Sequence, residues 1–394
     1  MKADGVVRPQ FRGKALKEVR DRKMAKSAAD FVRGSTRNFY CWLAELKKGA
    51  LPEGPPIWIC GDCHYGNLGP LADASGEIQI EIRDFDQAVI GNPAHDLIRL
   101  GLSLASAARS SNLPGAATPK LLEGLIDSYE RAFAPAAPNL DQPPLIRHFR
   151  KQARSSSWKS LASSTIENPK PTLPLGRKLW PVTREEHQEL AALANSEEMR
   201  ELATILSARK DKADVKLVDA AYWRKGCSSL GRLRYAVLLQ VGSHHDDRCH
   251  CLMDIKEAAK ASAPAARRAT PKHQAERVVT GARQLSPALG ERMRAATLMG
   301  KPVFIRELLP QDLKIEIGQL KEDEATLVAS YLAIVVGKAH SRQMDAATRK
   351  GWKAELQRNR SKRLDAPTWL WRSVVELLAD HERAYLEHCR SCKS

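Results

Sequence analysis

Residues 59–67 read Ile59-Cys60-Gly61-Asp62-Cys63-His64-Tyr65-Gly66-Asn67, and residues 80–86 read Ile80-Glu81-Ile82-Arg83-Asp84-Phe85-Asp86. A short apolar run leads into each group of polar residues. Short apolar runs that are bounded by glycine and polar residues are typical of buried strands. The pattern therefore predicts two strands, which deliver Asp62, Asn67 and Asp84 to the loops at their ends.

The spacing of these three polar residues is typical of enzymes that transfer phosphoryl groups. In such enzymes one carboxylate orients the attacking hydroxyl, while an amide oxygen and a second carboxylate hold Mg²⁺ on the nucleotide phosphates. Mg²⁺ prefers hard oxygen ligands and keeps several waters, so two protein ligands suffice once the nucleotide supplies phosphate oxygens. The alternative is a polar hairpin in which glycine, aspartate and asparagine serve only the turn.

A third segment, Gly91-Asn92-Pro93-Ala94-His95-Asp96-Leu97, follows and argues against a simple hairpin. Together the three segments resemble the catalytic core of aminoglycoside phosphotransferases and related small-molecule kinases. That family reads approximately His-Gly-Asp-x-His-x-x-Asn, then Ile-Asp-Phe, then Gly-(Asp)-Pro-x-x-Asp-Leu. The resemblance implies that Asp62 is the catalytic base and that Asn67 and Asp84 are the metal ligands. It also implies that Asp96 is structural and ties a helix to the catalytic loop.

The sequence differs from this family at one motif position and in the order of its segments along the chain. Cys60 occupies the place where the family usually has histidine. In addition, the nucleotide-clamping lobe of those kinases precedes the catalytic core, whereas here similar segments follow it. They are a glycine-bearing turn at 225–231, a strand, a second strand that contains Lys256, a helix that contains Glu276, and a strand over 302–308.

The resemblance implies that Lys256 contacts the α- and β-phosphates and that Glu276 holds this lysine in place. The turn fits G-x-x-x-x-G but continues as Arg232-Leu233, so it is neither a Walker A loop nor the G-x-G-x-x-G of protein kinases. Taken separately, the turn is an ordinary hairpin turn and Glu276 an exposed helix charge. Only their order relative to the catalytic core favours nucleotide binding. The residues assigned to the nucleotide-binding turn are Gly226, Ser228, Ser229 and Gly231.

The reversed order predicts a circular permutation, which domains tolerate because chain termini often lie close together on the surface. Apolar residues at helical spacing predict a helix over 327–344. It contains Gly337-Lys338-Ala339-His340-Ser341, which is similar to the segment that leads into the catalytic loop of kinases. The whole order of motifs resembles a bacterial family that is catalogued only as a domain of unknown function, including Lys23-Met24, 31–34 and 306–308.

The predicted fold class is therefore α+β, as a circularly permuted, two-lobed protein kinase-like fold. A small antiparallel-sheet lobe would pack on a larger, mainly helical lobe. Residues 1–215 are assigned to the N-terminal helices and the catalytic part of the helical lobe. Residues 216–310 are assigned to the nucleotide-clamping β lobe, and residues 311–394 to the helices that complete the helical lobe. Other helices are expected over 12–49, 98–108, 121–133 and 185–210.

Length and composition indicate a soluble protein with more than one cooperating unit. The chain has 394 residues, of which 43% are hydrophobic and 28% are charged. Its longest apolar runs are shorter than the roughly 20 residues that a membrane helix needs. The first residues lack the apolar core of a signal peptide. We therefore expect a cytoplasmic protein without a membrane partner.

The net charge of +17 favours acidic partners such as nucleotides, phosphorylated substrates or anionic surfaces. The sequence contains no helix-turn-helix, zinc-finger or RNA-binding motif, so nucleic acid is not indicated beyond the charge itself. Residues 145–185 are basic and rich in serine and proline. Within them, Arg150 to Lys178 could face a phosphate, but a Ser-rich mobile loop is the expectation.

Two of the pairs among the eight cysteines have the spacing of zinc ligands, Cys60-x-x-Cys63 and Cys389-x-x-Cys392. A zinc ion at the first pair would compete with the geometry of Asp62 between them. Reduced, mostly buried thiols are therefore the expectation.

Three functions follow from the sequence. The first is an ATP- and Mg²⁺-dependent phosphotransferase that acts on a hydroxyl-bearing acceptor, either a small molecule or a protein. The second is a nucleotidyl transferase that moves AMP on the same scaffold. The third is a pseudokinase that only senses nucleotide. Retention of Asp62, Asn67, Asp84 and Lys256 together argues against the third.

Overall fold

The computed structural model describes residues 5–32, 34–111, 113–134, 142–155, 172–206, 209, 213–226, 230–242, 249–264, 270–309, 312, 321–358 and 367–392. Within these ranges the helices are α1 (Arg12–Met24), α2 (Ala28–Val32), α3 (Thr36–Glu45), α4 (Ala94–Ser110), α5 (Ala117–Arg131), α6 (Pro144–Ser155), α7 (Arg184–Ala194), α8 (Glu197–Thr204), α9 (Gln274–Leu285), α10 (Pro287–Glu291), α11 (Glu322–Ser341), α12 (Ala346–Arg358) and α13 (Thr368–Ser391). The strands are β1 (Ile57–Ile59), β2 (Leu68–Ala72), β3 (Ile78–Ile82), β4 (Val89–Gly91), β5 (Leu179–Trp180), β6 (Val215–Trp223), β7 (Arg234–Val241), β8 (Cys249–Glu257), β9 (Met293–Leu298) and β10 (Lys301–Glu307).

Six of these strands form one antiparallel sheet in the order β5-β6-β7-β8-β10-β9. The three strands expected near residues 235, 256 and 305 are β7, β8 and β10, which are adjacent in the sheet. Two smaller antiparallel pairs, β1 with β4 and β2 with β3, lie among the helices. The predicted α+β class with antiparallel sheets is confirmed.

The two faces of the large sheet differ in chemistry because successive side chains point to opposite sides. One face is apolar, and Tyr235 lies on it within a core that α1, α7 and α8 help to form. The other face has charged residues in register, since Arg234 lies opposite Lys256 and Arg306 opposite Asp254. These charges lie beside a buried apolar cluster on the same face, which includes Ala236, Leu238 and Leu252.

Glu186 anchors two helices to the apolar face of the sheet. It closes a capping box with Thr183 at the start of α7. Its carboxylate also lies 2.6 Å from Arg12 Nη1 of α1 and accepts a hydrogen bond of 2.8 Å from the Tyr235 hydroxyl. Helices α1 and α7 thus belong to the sheet core, although the sequence analysis placed residues 1–215 in the helical lobe. That boundary is corrected here, because the buried ion pair fixes both helices on the sheet.

The second core is built around α4, whose side chains are buried along nearly its whole length. A helix that is buried on all sides lies at the centre of a bundle, and α4 packs against α5, α11 and α13. In the described part of the chain, no helix is long and apolar enough to cross a lipid bilayer.

Helix α9 joins the sheet to the helical core. It packs on β9 and β10 on one side and on β1 on the other. Gly281 permits this close approach, because a Cβ at this position would lie 2.7 Å from the Cβ of Ala88 and 3.2 Å from the Trp58 ring. The sheet is thereby held against the loop that follows Asp84.

Candidate functional site

The loop between β1 and β2 is held in place by Asp96, near the start of α4. The Asp96 carboxylate is fully buried and accepts hydrogen bonds from the backbone N–H groups of Cys60 (2.7 Å) and Gly61 (2.9 Å). Gly61 has φ of +72°, and a Cβ there would lie 2.2 Å from the carbonyl oxygen of Gln87. The loop therefore requires glycine at this point. Asp96 ties α4 to the loop, as the sequence analysis expected of it.

A chain of buried hydrogen bonds connects Asp96 to three further helices. Trp352 Nε1 lies 3.1 Å from the Tyr129 hydroxyl, and the Tyr129 hydroxyl lies 2.8 Å from His340 Nδ1. Because the indole N–H only donates, the Tyr129 hydroxyl accepts the hydrogen bond from Trp352. His340 then donates from Nε2 to Asp96 Oδ2 at 3.2 Å. Helices α12, α5 and α11 thus support the loop through one polar network.

Asp62 lies in an ion pair at the start of this loop. Its Oδ1 is 2.6 Å from Arg99 Nη2 and 3.1 Å from Arg99 Nε, while its Oδ2 accepts a 2.8 Å hydrogen bond from the Thr36 hydroxyl. The Asp62 side chain is 13% exposed and that of Arg99 is 1% exposed. The predicted catalytic base is therefore accessible, but both of its oxygens already have partners within the protein.

Asn67 and Asp84 lie at the same end of the β2–β3 hairpin. The N–H of Arg83 donates to the carbonyl of Asn67 at 2.8 Å, which extends the ladder that pairs Leu68 with Ile82. The Asn67 amide donates from Nδ2 to the carbonyl of Asp62 at 2.9 Å, which leaves its Oδ1 as an acceptor. The structure thus brings both predicted metal ligands and Asp62 to one place.

Lys256 reaches this place from the large sheet. Its Nζ lies 3.7 Å from Asp84 Oδ1 and makes a closer ion pair with Asp86 Oδ2. The side chains of Lys256 and Asp86 are 6% and 11% exposed, whereas that of Asp84 is 44% exposed. Desolvation alone would raise the pKa of Asp84, but the positive charges of Lys256 and Arg306 hold it well below its usual range. Asp84 is therefore an exposed, ionised carboxylate beside a buried cation.

Further cations surround this pair, and the sequence analysis did not identify them. Arg234 makes two bonds to Asp254, at 2.6 and 2.9 Å, and Arg306 Nη2 lies 3.3 Å from the same carboxylate. Arg306 Nη1 also donates to the carbonyl of Arg83, next to Asp84. Alternation along β7, β8 and β10 would have placed these residues on the face of Lys256. One carboxylate is thus shared between two arginines beside the site.

The partner that was predicted for Lys256 is wrong. Glu276 was expected to hold Lys256, but its side chain is exposed on α9, and Lys256 pairs with Asp84 and Asp86 instead. The next residue, Arg277, faces the core because consecutive helical residues point about 100° apart. Arg277 donates to the carbonyls of Asp86, Ala88 and Ala259 at 2.9, 2.6 and 2.9 Å. The helix therefore clamps the loop after Asp84 by its backbone.

The predicted nucleotide-binding turn connects β6 and β7. Gly226 and Gly231 adopt φ of +93° and +99°, which glycine tolerates and other residues rarely adopt. The Gly226 carbonyl accepts a 2.7 Å hydrogen bond from Lys23 Nζ, and the carbonyl of Lys225 accepts from Arg234 Nη1 at 3.3 Å. Ser228 and Ser229, the other two predicted residues, lie outside the described residues.

The donor set suits a hard cation better than zinc. Within the residues described, no group of three or more His, Cys, Asp or Glu side chains is arranged to hold a metal ion. Mg²⁺ needs fewer protein ligands than that, because waters and phosphate oxygens complete its octahedron. The Asp84 carboxylate and the Asn67 amide oxygen fit this requirement. Cys60 and Cys63 are fully buried and hydrogen-bonded to each other.

Comparison with known families assigns the chain. A family model described as "Uncharacterized protein conserved in bacteria (DUF2252)" matches residues 12–391. The chain belongs to this family. The match confirms the resemblance to a bacterial domain of unknown function that the order of motifs indicated. Searches of curated proteins and of solved structures gave no significant match.

In this DUF2252 protein, the site combines residues from both halves of the chain. Residues 60–67, 84–86 and 96–99 provide the loop, its carboxylates and its support. Lys256 and the two arginines of the sheet provide positive charge. The oxygen atoms of Asp84 and Asn67 are of the type that a divalent cation prefers, and the positive charge of Lys256 suits an anionic group beside it.

Proposed function

We propose that this protein is an ATP- and Mg²⁺-dependent phosphotransferase that acts on a hydroxyl-bearing acceptor, built on a circularly permuted kinase-like fold. The observation that best supports the proposal is the contact between Lys256 of the sheet and Asp84 at the end of β3. The buried lysine would bind the phosphates, and the exposed aspartate would bind the metal ion. The two side chains are close enough for one nucleotide phosphate group to contact both the lysine and the metal ion.

The spatial order of the elements supports the permutation. In chain order, the described residues from β6 to β10 form a strand, a glycine turn, a strand, the strand with Lys256, a helical segment (α9 and α10) and two more strands. The last turn of α11 then lies against β1, where His340 binds Asp96 and Gln343 bonds to both the N–H and the C=O of Trp58. In kinases a helix with a similar ending leads directly into the catalytic loop. Here the same adjacency arises across 285 positions of the sequence.

Each residue of the site then has a defined task. Asp84 and Asn67 would hold Mg²⁺ on the phosphates, and Mg²⁺ would neutralise the charge that develops on the transferred group. Lys256 would bind phosphate oxygens and give up part of its contact with Asp86 when nucleotide enters. Gly226 and Gly231 would let the turn approach the phosphates closely. These tasks require positioning and charge rather than covalent chemistry.

Asp62 would orient the acceptor hydroxyl. A carboxylate accepts about four hydrogen bonds, so Asp62 retains about one acceptor position beside the bonds from Arg99 and Thr36. In a loose transition state the hydroxyl loses its proton late, so the role of the carboxylate is to orient the hydroxyl rather than to remove its proton early. Arg99 would also keep the Asp62 carboxylate in a single orientation.

The ion pair of Asp62 with Arg99 also favours the second candidate, transfer of AMP. If Arg99 holds Asp62 too firmly to accept an acceptor hydroxyl, the carboxylate has no role in transfer of the γ-phosphate. The remaining residues, Lys256, Asn67 and Asp84, would serve either reaction equally. The acceptor of the transferred group is a small molecule or a protein in both cases.

Incubation of the purified chain with Mg²⁺ and ATP labelled at either the γ- or the α-phosphate tests the proposal. Bacterial small-molecule extract and the protein itself serve as acceptors. We expect label from γ-ATP, but not α-ATP, in a product that is lost in Asp84→Ala. Label from α-ATP alone would establish AMP transfer instead. Nucleotide binding without transfer of either label would indicate a pseudokinase.

A further inference from the structure

A polar cavity lies along β3, between this strand, α6 and α11. It has a volume of about 190 Å³. None of Asp62, Asn67, Asp84 and Lys256 is among its described lining residues, so it is separate from the site above. Its polar lining residues are Gln79, Glu81, Gln142, Arg150, Tyr331, Lys338 and Arg342.

Glu81 forms the buried part of this cavity. The residue is 7% exposed, and one of its oxygens accepts a hydrogen bond from the backbone N–H of Ala288. Its other oxygen, Oε2, is buried and has no hydrogen-bond partner among the residues that the structure describes. A buried acceptor without a donor costs about 1–3 kcal/mol. The cavity therefore lacks a hydrogen-bond donor at Glu81.

Three cations line the same cavity, and one of them, Arg150, lies on the helix α6, where the sequence predicted a mobile loop. Arg150 of α6 donates from Nη2 to the Ile78 carbonyl at 3.1 Å, and its Nε is buried without a partner in the described part of the chain. Lys338 and Arg342 follow each other by four residues at the end of α11 and therefore share one face of the helix. Both are exposed, and Arg342 Nη2 donates to the Leu285 carbonyl at 2.8 Å. The cavity thus offers several donors and one unmet acceptor.

We propose that this cavity binds a phosphate group that bears a hydroxyl, either inorganic phosphate or the monoanion of a phosphomonoester. The anionic oxygens would accept hydrogen bonds from Arg150, Lys338 and Arg342, and the P–O–H group would donate to Glu81 Oε2. A volume of 190 Å³ accommodates a phosphate group but not a nucleotide. The organic part of a phosphomonoester would extend past Lys338 and Arg342 into solvent.

The proton that this arrangement requires is available near neutral pH. Burial raises the pKa of Glu81 to about 7, although the charges of Arg342 and Arg292 oppose the shift. The second pKa of a phosphomonoester is about 6. The two acids thus bind a proton with similar strength and share one between them. Above both pKa values both groups are ionised and repel each other, so affinity for phosphate falls as the pH rises from 6.5 to 8.5. The charged and titratable groups that face Glu81 or line its cavity are Asp73, Arg150, Arg292, Tyr331, Lys338 and Arg342.

Titration of the full chain with inorganic phosphate at pH 7, at constant ionic strength, tests the site by calorimetry or ³¹P NMR. We expect saturable binding that weakens about tenfold in Arg150→Gln, because a charge-assisted hydrogen bond is lost. Lys151→Gln is the matched control, since Lys151 is the exposed next residue of α6 and does not line the cavity. Equal weakening by both variants would show that phosphate only follows the net charge, and the proposal would fail.

Sulfate tests the role of Glu81, because it has the size and charge of phosphate but no hydroxyl at neutral pH. We expect the wild type to prefer phosphate over sulfate by about tenfold, and Glu81→Gln to lose this preference, since an amide donates to either anion. Equal binding of both anions by the wild type would overturn the proposal. Glycerol phosphate distinguishes the two sources: comparable affinity identifies a phosphomonoester site, and exclusion identifies a site for the free ion. These measurements use no ATP, so their outcome is independent of the proposed phosphotransferase activity.

Discussion

Lys256 Nζ lies 3.7 Å from Asp84 Oδ1, although β8 and β3 belong to different sheets and to opposite halves of the chain. The same lysine makes a closer ion pair with Asp86, whose side chain is almost buried. Lys256 thus has two tasks in this structure. It neutralises Asp86 within the protein and presents positive charge beside the exposed Asp84.

Replacement of Lys256 by methionine is expected to weaken ATP binding at least tenfold, because a charge that faces the phosphates is lost. The same change leaves Asp86 buried without its cation, which costs about 3–5 kcal/mol of stability. Calorimetric titration with Mg·ATP and urea denaturation measure the two effects separately. Lys256→Arg keeps the charge and should recover most of the stability. Lys260→Met, at an exposed position near the end of the same strand, should change neither quantity. Unchanged ATP affinity in Lys256→Met would remove Lys256 from the site.

Asp62→Asn is expected to preserve ATP affinity while turnover falls by orders of magnitude. Nucleotide binding depends on Lys256, the glycine turn and Mg²⁺, whereas the carboxylate acts only on the acceptor hydroxyl. The variant should also be less stable, because the buried Arg99 loses its counter-ion. Single-turnover assays at saturating ATP distinguish loss of chemistry from loss of fold. Full activity of a folded Asp62→Asn protein would favour AMP transfer.

Asp96→Asn is expected to destabilise the protein by about 3–5 kcal/mol, as is usual when one partner of a buried charged network is removed. The amide NH₂ would face the N–H of either Cys60 or Gly61, and two donors cannot bond to each other. Urea denaturation measures the change. Asp380→Asn serves as a control, because this aspartate is exposed on α13 and should change stability by less than about 0.5 kcal/mol. Equal effects of the two changes would contradict a supporting role for Asp96.

Glu81 gives the protein a predictable dependence of stability on pH. Its pKa in the folded protein is about 7, above the usual 4.5, because burial disfavours the charged form. Between these values the folded state keeps a proton that the unfolded state has lost, so stability decreases as the pH rises from about 4.5 to 7. The decrease amounts to about 3 kcal/mol. Glu81→Gln should gain this amount relative to the wild type between pH 4.5 and pH 8, as measured by urea denaturation. The exposed Glu77→Gln should show no such gain, and identical pH profiles for all three proteins would refute the assignment.

Short segments of the sequence were sufficient to identify the candidate site residues that lie within one motif. Asp62, Asn67 and Asp84 closely follow short apolar runs, and the strand containing Lys256 was visible from apolar residues such as Leu252, Met253 and Ile255. The placement of Lys256 beside Asp84 required a resemblance in the order of motifs, because the spacing of these two residues in the chain contains no information about their distance.

The partners of these residues could not be predicted in the same way. Arg99 is one of three charged residues of α4, with Asp96 and Arg109, and only the packing of the helix against the loop shows that Arg99 binds Asp62. Glu276 and Arg277 are adjacent, so a small rotation of α9 decides which of them faces the core. The resemblance to kinases led to the prediction that Glu276 faces the site. In the structure, the contact of Gly281 with Ala88 fixes the rotation of α9 that buries Arg277 instead.

Binding of Mn²⁺, used as a paramagnetic substitute for Mg²⁺, can be followed by electron paramagnetic resonance with and without ATP. Two oxygen ligands from the protein are too few to hold the ion alone, so we predict tight binding only when ATP supplies phosphate oxygens. Asp84→Asn should abolish this ATP-dependent binding, and Asn67→Ala should weaken it. Asp323→Asn, at an exposed position of α11, should leave it unchanged. If folded Asp84→Asn protein binds Mn²⁺ and ATP as the wild type does, the metal and nucleotide do not bind at this site and the proposed phosphotransferase mechanism is wrong.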